Sequence, residues 1–449
     1  MTLYEYKISV PTKWLETLPA HWKCKKIGSL FSERKIKVSD KEYAALSVTK
    51  NGIVPQLESA VKTDAGDNRK LVCSGDFVIN SRSDRKGACG ISSLNGSVSL
   101  INIVLTPRDE WNIRYTHYLL RCQPFSEEYY RYGRGIVADL WTTRFSEMKN
   151  ILLPIPPRDE QDQIVRFLDW KVSKINHLIN IKKKESKSLS VLKHSVANNA
   201  VTRGLNQNTP MKFSGVKWVG DIPAHWNIIK LRQILHPISI KNRPDLPLLS
   251  VVREQGVIIR DVEDRETNHN FIPDDLSGYK VVKEGQFVMN KMKAWQGSYG
   301  VSDYTGIVSP AYFIFDINFD NLEYFHFAIR SKVYVNFFAQ ASDGIRVGQW
   351  DLKMNKMKEI PFIVPPDDEQ KRIVDYVRAE ISKYDEAIVK LNEQINILEE
   401  CKAKLISDVV TGQIDVRDIF IPEYEYEEEI NETAESAEVG VEYTEDISC

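Results

Sequence analysis

The sequence predicts a mixed α/β (α+β) protein: two similar domains in pseudo-twofold arrangement, separated by two long helices that form an antiparallel coiled coil. Two observations carry this prediction. The second half of the chain restates the first, and each half ends in a long heptad-patterned segment that opens after a Pro-Pro pair. The length, 449 residues, allows about three units at roughly 150 residues each, or two with long connecting elements.

The repeat runs at an offset of 204 to 210 residues. Lys13-Trp14 followed by Leu18-Pro19-Ala20-His21-Trp22 returns as Lys217-Trp218 followed by Ile222-Pro223-Ala224-His225-Trp226. Gly75 to Asn80 returns as Gly285 to Asn290, and Gly135-Ile136 with Trp141 pairs with Gly344-Ile345 and Trp350. Pro156-Pro157-Arg158-Asp159-Glu160-Gln161 matches Pro365-Pro366-Asp367-Asp368-Glu369-Gln370, and Val201-Thr202 matches Val410-Thr411. Between these anchors the copies diverge strongly, as one frame carrying two specificities would; relaxed drift of surface loops is the alternative.

Each copy opens on an aromatic, Pro-rich lead-in. A mixed region follows, with strand-like runs such as Asp76 to Asn80 and Val98 to Leu105 bounded by Gly, Asn and Ser. Helical stretches are expected near Ile113 to Arg121 and Leu322 to Val335. The long helix comes last. Pro-Pro ends whatever precedes it, and the acids that follow suit the positive end of a helix dipole. In the second copy the seam reads Val377, Ile381, Tyr384, Ile388, Leu391, Ile395, Leu398, then Lys402, then Leu405. In the first it reads Leu168, Val172, Ile175, Ile179, then polar Lys182 and Ser186, then Leu189, Lys193 and Val196. The polar stretch is expected to pair loosely or to take a different neighbour. About 43 residues make a rod of roughly 65 Å, longer than one domain needs for its own core. Each helix is expected to pair with the other; packing on its own domain or on another chain is the alternative.

The expected division is 1–157, first mixed domain; 158–205, central long helix; 206–366, second mixed domain; 367–415, C-terminal long helix; and 416–449, an acidic, disordered tail. The net charge of −2 hides an asymmetry, because residues 423–449 hold eleven acids and no Lys or Arg, leaving a body of +9. Such a body permits a polyanionic partner without requiring one. Six scattered cysteines with no Cys-x-x-Cys, no apolar run long enough to span a bilayer and no secretory leader pattern predict a cytoplasmic protein with free thiols and no membrane.

Catalytic constellations are missing where a duplicated enzyme would show them. No Gly-x-x-x-x-Gly-Lys-Ser/Thr loop occurs, nor His-Glu-x-x-His, nor Gly-x-Ser-x-Gly. Gly133 to Ala138 spells a dinucleotide motif but lacks a buried strand before it. Asp139 with Glu147 suggests a nuclease, yet the counterpart of Glu147 is Lys356, which cannot ligate a metal. His21 and His225 read as structural histidines beside a buried Trp. No catalytic residue and no metal ligand is assigned, and binding is the expected function.

The Trp-x-x-x-x-Pro-Ala-His-Trp lead-ins, the Pro-Pro-x-x-Glu-Gln-x-x-Ile-Val helix starts and the two-copy layout ending in Thr202 or Thr411 closely resemble the DNA-specificity subunit of type I restriction-modification systems. The resemblance spans essentially residues 8–418. It implies that each mixed region is a target-recognition domain reading one half of a split, asymmetric double-stranded DNA site, with the helices as spacer. It further implies no catalysis and no cofactor in this chain. Two modification subunits would bring the adenine methyltransferase and S-adenosylmethionine, and restriction (translocase) subunits would bring ATP and Mg chemistry. The missing phosphate loop and the lack of an Asn-Pro-Pro-Tyr motif agree.

DNA reading calls for Lys or Arg on phosphates and Arg, Asn or Gln on base edges. Two loops per copy supply them. After the Gly-x-Phe-Val strand stand Asn80, Arg82, Arg85 and Lys86 in copy one, and Asn290, Lys291, Lys293 and Trp295 in copy two. Around the Gly-Ile element stand Arg134, Thr143 and Arg144 in copy one, and Arg346, Gln349 and Lys353 in copy two. Trp141 and Trp350 lean structural, being the same in both copies. A coiled-coil scaffold that never touches DNA, and a nuclease built on Asp139 and Glu147, are the rival readings.

Overall fold

The structure is a computed structural model that describes residues 3–10, 12–56, 66–82, 87–108, 111–135, 141–261, 272–273, 275–346 and 349–430. It divides into two compact units, Met1–Lys183 with Asn392–Cys449, and Lys184–Leu391. Both long helices, Arg158–Arg203 and Asp367–Val410, contribute to both units.

In the first unit an antiparallel sheet runs in the order Cys89–Ile91, Phe77–Asn80, Asn102–Pro107, Phe31–Glu33. Because side chains alternate across a strand, Phe77, Ile79, Ile103 and Leu105 enter the main core. Val78 and Val104 turn to a second cluster with Leu46, Ile53, Val72 and Val98. Covering both faces is why the strands read as continuous apolar runs. The strand expected over Val98 to Leu105 is interrupted by a turn, closed by the Asn102 amide donating to the Ser99 carbonyl at 3.0 Å. The second unit repeats the plan with Leu235–Ile238, Tyr312–Ile317, Phe287–Asn290 and Tyr299–Val301. Phe287, Met289 and Phe315 face the main core, and Val288 and Ile314 the second cluster.

Two short helices follow in each unit, Ile113–Leu119 with Gln123–Arg131, and Leu322–Ile329 with Lys332–Gln340. Asn112 and Asn321 cap the first of each pair by accepting backbone N–H groups. From this helix a buried tyrosine reaches the end of the long helix that belongs to the other copy. Tyr115 donates to the Val410 carbonyl at 3.2 Å, and Tyr324 to the Val201 carbonyl at 3.4 Å.

The long helices start as their sequence dictates, with Gln161 and Gln370 donating to the carbonyls of Pro156 and Pro365 at 3.0 and 2.9 Å. Their first-turn acids have a second use. Glu160 accepts from Tyr4 at 2.5 Å and pairs with His21 at 2.7 Å; Glu369 pairs with His225 at 2.7 Å and accepts the Trp226 indole N–H at 3.0 Å. The Pro-Ala-His-Trp element therefore exists to meet the Pro-Pro-x-x-Glu-Gln element. Each helix ends on a residue with left-handed backbone, Gly204 (φ 76°) or Gly412 (φ 70°), against the Trp of that element.

Every seam position named above is buried or half-buried. In the first unit Lys402 donates to Asn176 at 3.2 Å and Lys182 to Gln394 at 2.6 Å; in the second, Lys193 pairs with Asp385 at 2.6 Å. Within each unit one helix number rises as the other falls. Lys402, Lys182 and Lys193 thus find polar partners on the opposite helix, where loose pairing or a different neighbour was expected for the stretch around Lys182 and Ser186.

One expectation is corrected. Residues 416–430 do not form a disordered tail: Val416 is fully buried, and the chain beyond it lies along the first long helix, whose Gln163 donates to the carbonyls of Val416 and Ile419 at 3.0 and 2.9 Å. Polar groups of that helix hold it, a partnership that composition does not reveal. Residues 431–449 lie outside the described residues.

His117 and His326 form a second duplicated device. Each accepts a backbone N–H at Nδ1, from Ile91 at 3.4 Å and Val301 at 3.3 Å, and lies beside an arginine that latches a hairpin loop. Arg121 reaches the Lys50 carbonyl, and Arg330 those of Arg253 and Glu254. Burial, then the neighbouring guanidinium, pushes the imidazoles down, to about 3 for His117 and about 4 for His326. Between those values and the ordinary value near 6.5 the unfolded chain binds protons that the folded chain refuses. Stability should therefore fall as pH drops below about 6.5, by about 1.4 kcal/mol per pH unit for each histidine, and be unaffected by them above it. Denaturation midpoints of the protein and of His326→Gln, compared from pH 7.5 to 5, check this: the variant should show a shallower decline, and an equal slope would contradict it.

Candidate nucleic-acid interface

In the first unit the strand Phe77–Asn80 ends in an Asx turn, the Asn80 carboxamide accepting the Arg82 amide at 3.0 Å. The second loop is drawn onto it. Arg134 and Thr142 exchange both backbone bonds at 3.0 and 2.9 Å, and the Thr143 amide donates to the Ser81 carbonyl at 3.0 Å. The second unit makes the same join, the Leu352 amide donating to the Lys291 carbonyl at 3.1 Å. Here too Asn290 turns the chain, accepting the Met292 amide at 3.1 Å. Loops that lie some sixty residues apart in sequence therefore form one surface in each unit.

Arg82, Arg134 and Arg144 are exposed in the first unit, as are Lys293 and Lys353 in the second, while Lys291 is half-buried. Lys291 and Lys353 flank Asp351 at 3.4 and 3.6 Å. Exposed pairs of that length are worth little and exchange readily for phosphate. Arg85, Lys86 and Asp139 lie outside the described residues, and Arg346 and Gln349 are described by backbone alone, in the strands Ser342–Arg346 and Gln349–Leu352.

Thr143 is corrected from interface to scaffold. It is buried, its hydroxyl donates to the Tyr129 carbonyl at 3.0 Å, and its own carbonyl accepts from the Tyr129 hydroxyl at 3.1 Å. Asn80 and Asn290 spend their carbonyl oxygens within the turn, and the Asn290 side chain also hydrogen-bonds Tyr312. Trp295 stacks on Trp350 with centroids 5.2 Å apart, and Trp141 stacks on Tyr130 at 5.8 Å while donating to the Tyr130 carbonyl at 2.9 Å. These stacks brace the loops.

A glycine lies under each tryptophan, and here the alignment of the copies changes. A Cβ on Gly133 would fall 2.1 Å from the Trp141 indole nitrogen, and one on Gly344 would fall 2.6 Å from the Trp350 ring. Gly133, not Gly135, is the counterpart of Gly344, so the loop between glycine and tryptophan is two residues longer in the first unit. A cleft opens between Asn80, Arg82, Arg121, Tyr130 and Trp141.

Glu147 accepts from the Ser146 hydroxyl at 2.7 Å, which with nearby Arg134 holds its carboxyl below the usual range. Its counterpart Lys356 pairs with Asp343 at 2.7 Å. Among the described residues no group of three or more His, Cys, Asp or Glu side chains is placed to hold a metal ion, and no helix is long and apolar enough to cross a membrane. His117 with Arg121, and His326 with Arg330, escaped the sequence reading although both pairs recur at an offset of 209.

Fold and loops together define a duplicated mixed α/β protein whose two units each present a braced, largely basic loop pair. Its curated relatives are type I restriction enzyme specificity subunits. The chain is 24% identical over 290 residues to the type I restriction enzyme MjaVIII specificity subunit of Methanocaldococcus jannaschii, covering 60% of this chain and 64% of that one. It is 23% identical over 279 residues to the putative MjaX specificity subunit of the same organism, covering 61% of each. The likeness thus spans less than two thirds of either relative. No family model matches the sequence. The fold is shared, at a TM-score of 0.58 and 13% identity, with a chain from a structure described as the basis of complex assembly and conformational transition of the type I R-M system, covering 88% of this chain and 99% of that one.

Proposed function

We propose that this protein is the non-catalytic DNA-specificity subunit of a type I restriction-modification complex. The mixed regions 1–157 and 206–366 act as target-recognition domains, each reading one half of a bipartite, asymmetric site. The long helices, with 158–205 and 367–415 as their segments, act as an antiparallel spacer that sets the half-site distance and receives two modification subunits; restriction subunits join the same complex. S-adenosylmethionine, ATP and Mg belong to those partners.

The observation that carries the reading is the duplicated loop pair. The same backbone join, Thr143 to Ser81 and Leu352 to Lys291, supports unlike side chains in the two units. Arg82 stands against Met292 and Arg144 against Lys353, which is what two readers of unlike half-sites on one frame require. The reciprocal grip of Tyr115 on Val410 and Tyr324 on Val201 supports the pseudo-twofold reading of the frame. The relatives' identity as specificity subunits supports the role.

Methylome sequencing of cells with and without this chain tests the proposal. One gapped adenine motif should disappear on deletion, and return with the gene. An unchanged methylome, or Mg-dependent cleavage of DNA by the purified chain that Glu147→Ala abolishes, would sink it.

A further inference from the structure

In the first unit, the chain after the second long helix runs as an extended strap along a polar face of the first. Asn176 donates to the Glu427 carbonyl at 3.2 Å. Asn180 clamps the peptide from both sides, its amide donating to the Glu428 carbonyl at 2.9 Å and its oxygen accepting the Ile430 amide at 2.9 Å. Ser173 donates to the Glu425 carbonyl at 3.1 Å and accepts the Glu427 amide at 2.8 Å. The carboxylates are met as well: Glu427 by His177 at 2.6 Å, and Glu429 by Lys183 at 2.8 Å and by Lys402. Ser173, Asn176 and Asn180 are each buried to 5% exposure or less. Three buried polar side chains on one helix face, each bonded to the main chain of one segment, make a built peptide site rather than an incidental contact.

Among the described residues the strap has no equivalent in the other unit, for a reason of chain path. There the residues after the first long helix form the strand Met211–Phe213, paired with Asp221–Pro223. In the first unit the N-terminal strand Lys7–Ser9 fills that role against Thr17–Pro19, so the chain after Gly412 is released. The matching face also differs. At an offset of 209, Ser173, Asn176, His177 and Asn180 become Ser382, Asp385, Glu386 and Val389, an acidic and apolar face that would repel an acidic strap; Val389 is 54% exposed.

We propose that this face of the first long helix is a docking groove for an acidic, extended peptide, and that residues 423–430 are its built-in occupant. The groove does not rest on the adaptor reading.

A labelled peptide of residues 423–430 is titrated into the full chain and into a chain ending at Pro422. The peptide should bind the shortened chain about tenfold or more tighter than the full chain, and Asn180→Ala in the shortened chain should weaken it about tenfold. Equal binding to both, or no binding to a folded shortened chain, would overturn the groove. Should the shortened chain fail to fold, hydrogen exchange on the intact chain decides. Asn180→Ala should speed exchange of the Glu427 and Ile430 amides about tenfold or more while leaving the recognition-domain strands unchanged, and unaltered exchange there would overturn the proposal. An unchanged methylome on deletion would overturn the adaptor reading without touching the peptide result.

Discussion

Replacing Trp226 by alanine is expected to destabilise the second unit by about 4 kcal/mol, within the range for removing a fully buried indole. Trp226 has no exposed surface and packs with Ala200, Val201 and Ile222 in the core that also holds the start of the second long helix. Its indole N–H donates to Glu369 at 3.0 Å, so the variant loses packing and also leaves a carboxylate short of a donor. Trp226→Phe keeps most of the apolar area and should cost about 2 kcal/mol, chiefly the charge-assisted bond. Trp22 supplies the internal control. It stands at the same place in the first unit, but Glu160 there is taken by Tyr4 and His21, and the buried Trp22 indole nitrogen finds no hydrogen-bond partner among the described residues. Trp22→Phe should therefore cost less than Trp226→Phe. Denaturant titration read by hydrogen exchange on residues 184–391 and, separately, on the remainder would assign each loss to its unit. Equal costs for the two phenylalanine variants would refute the role given to Glu369.

This pair also shows what the sequence could reveal. The Trp and the Glu of each repeat were legible as anchors because they recur at fixed spacing, and the seams were legible because apolar residues recur at helical spacing. That the two anchors bond to each other was not, since they lie 143 residues apart in the second copy and 139 in the first. The site was half legible. Basic residues after a Gly-x-Phe-Val strand pointed to two loops that the fold joins into one surface, but composition cannot tell a threonine whose hydroxyl turns inward, such as Thr143, from one that faces solvent. Nor could it tell which of Gly133 and Gly135 carries the tryptophan, because spelling favoured the Gly-Ile pair and only a close ring-to-backbone approach chooses Gly133. The chain after Gly412 reads as a disordered tail for the same physical reason: its charge predicts no core, yet Val416 buries and the acidic stretch beyond it is held by buried Ser and Asn on a distant helix.

Replacing Lys291, Lys293 and Lys353 together by alanine is expected to lower specific DNA affinity of the assembled complex by about 100-fold or more near 0.15 M salt. Each charge-assisted phosphate contact is worth about 1.5–3 kcal/mol, part of it already offset by the weak pairing of Lys291 and Lys353 with Asp351. If all three meet phosphates, the slope of log K against log salt should become shallower by about 2.7, while the recognised motif stays the same. If one of them reads a base edge, the slope should fall by less, and methylome sequencing of the variant should show relaxed choice at one position, in one half-site only. Confinement to one half follows from the frame, because the three lysines belong to a single unit and the other keeps Arg82, Arg134 and Arg144. The corresponding variant of those three arginines should disturb the opposite half-site. Unchanged affinity and slope in both variants would place the interface elsewhere on the recognition domains, and relaxation of both half-sites by either variant would mean that the units do not read DNA separately.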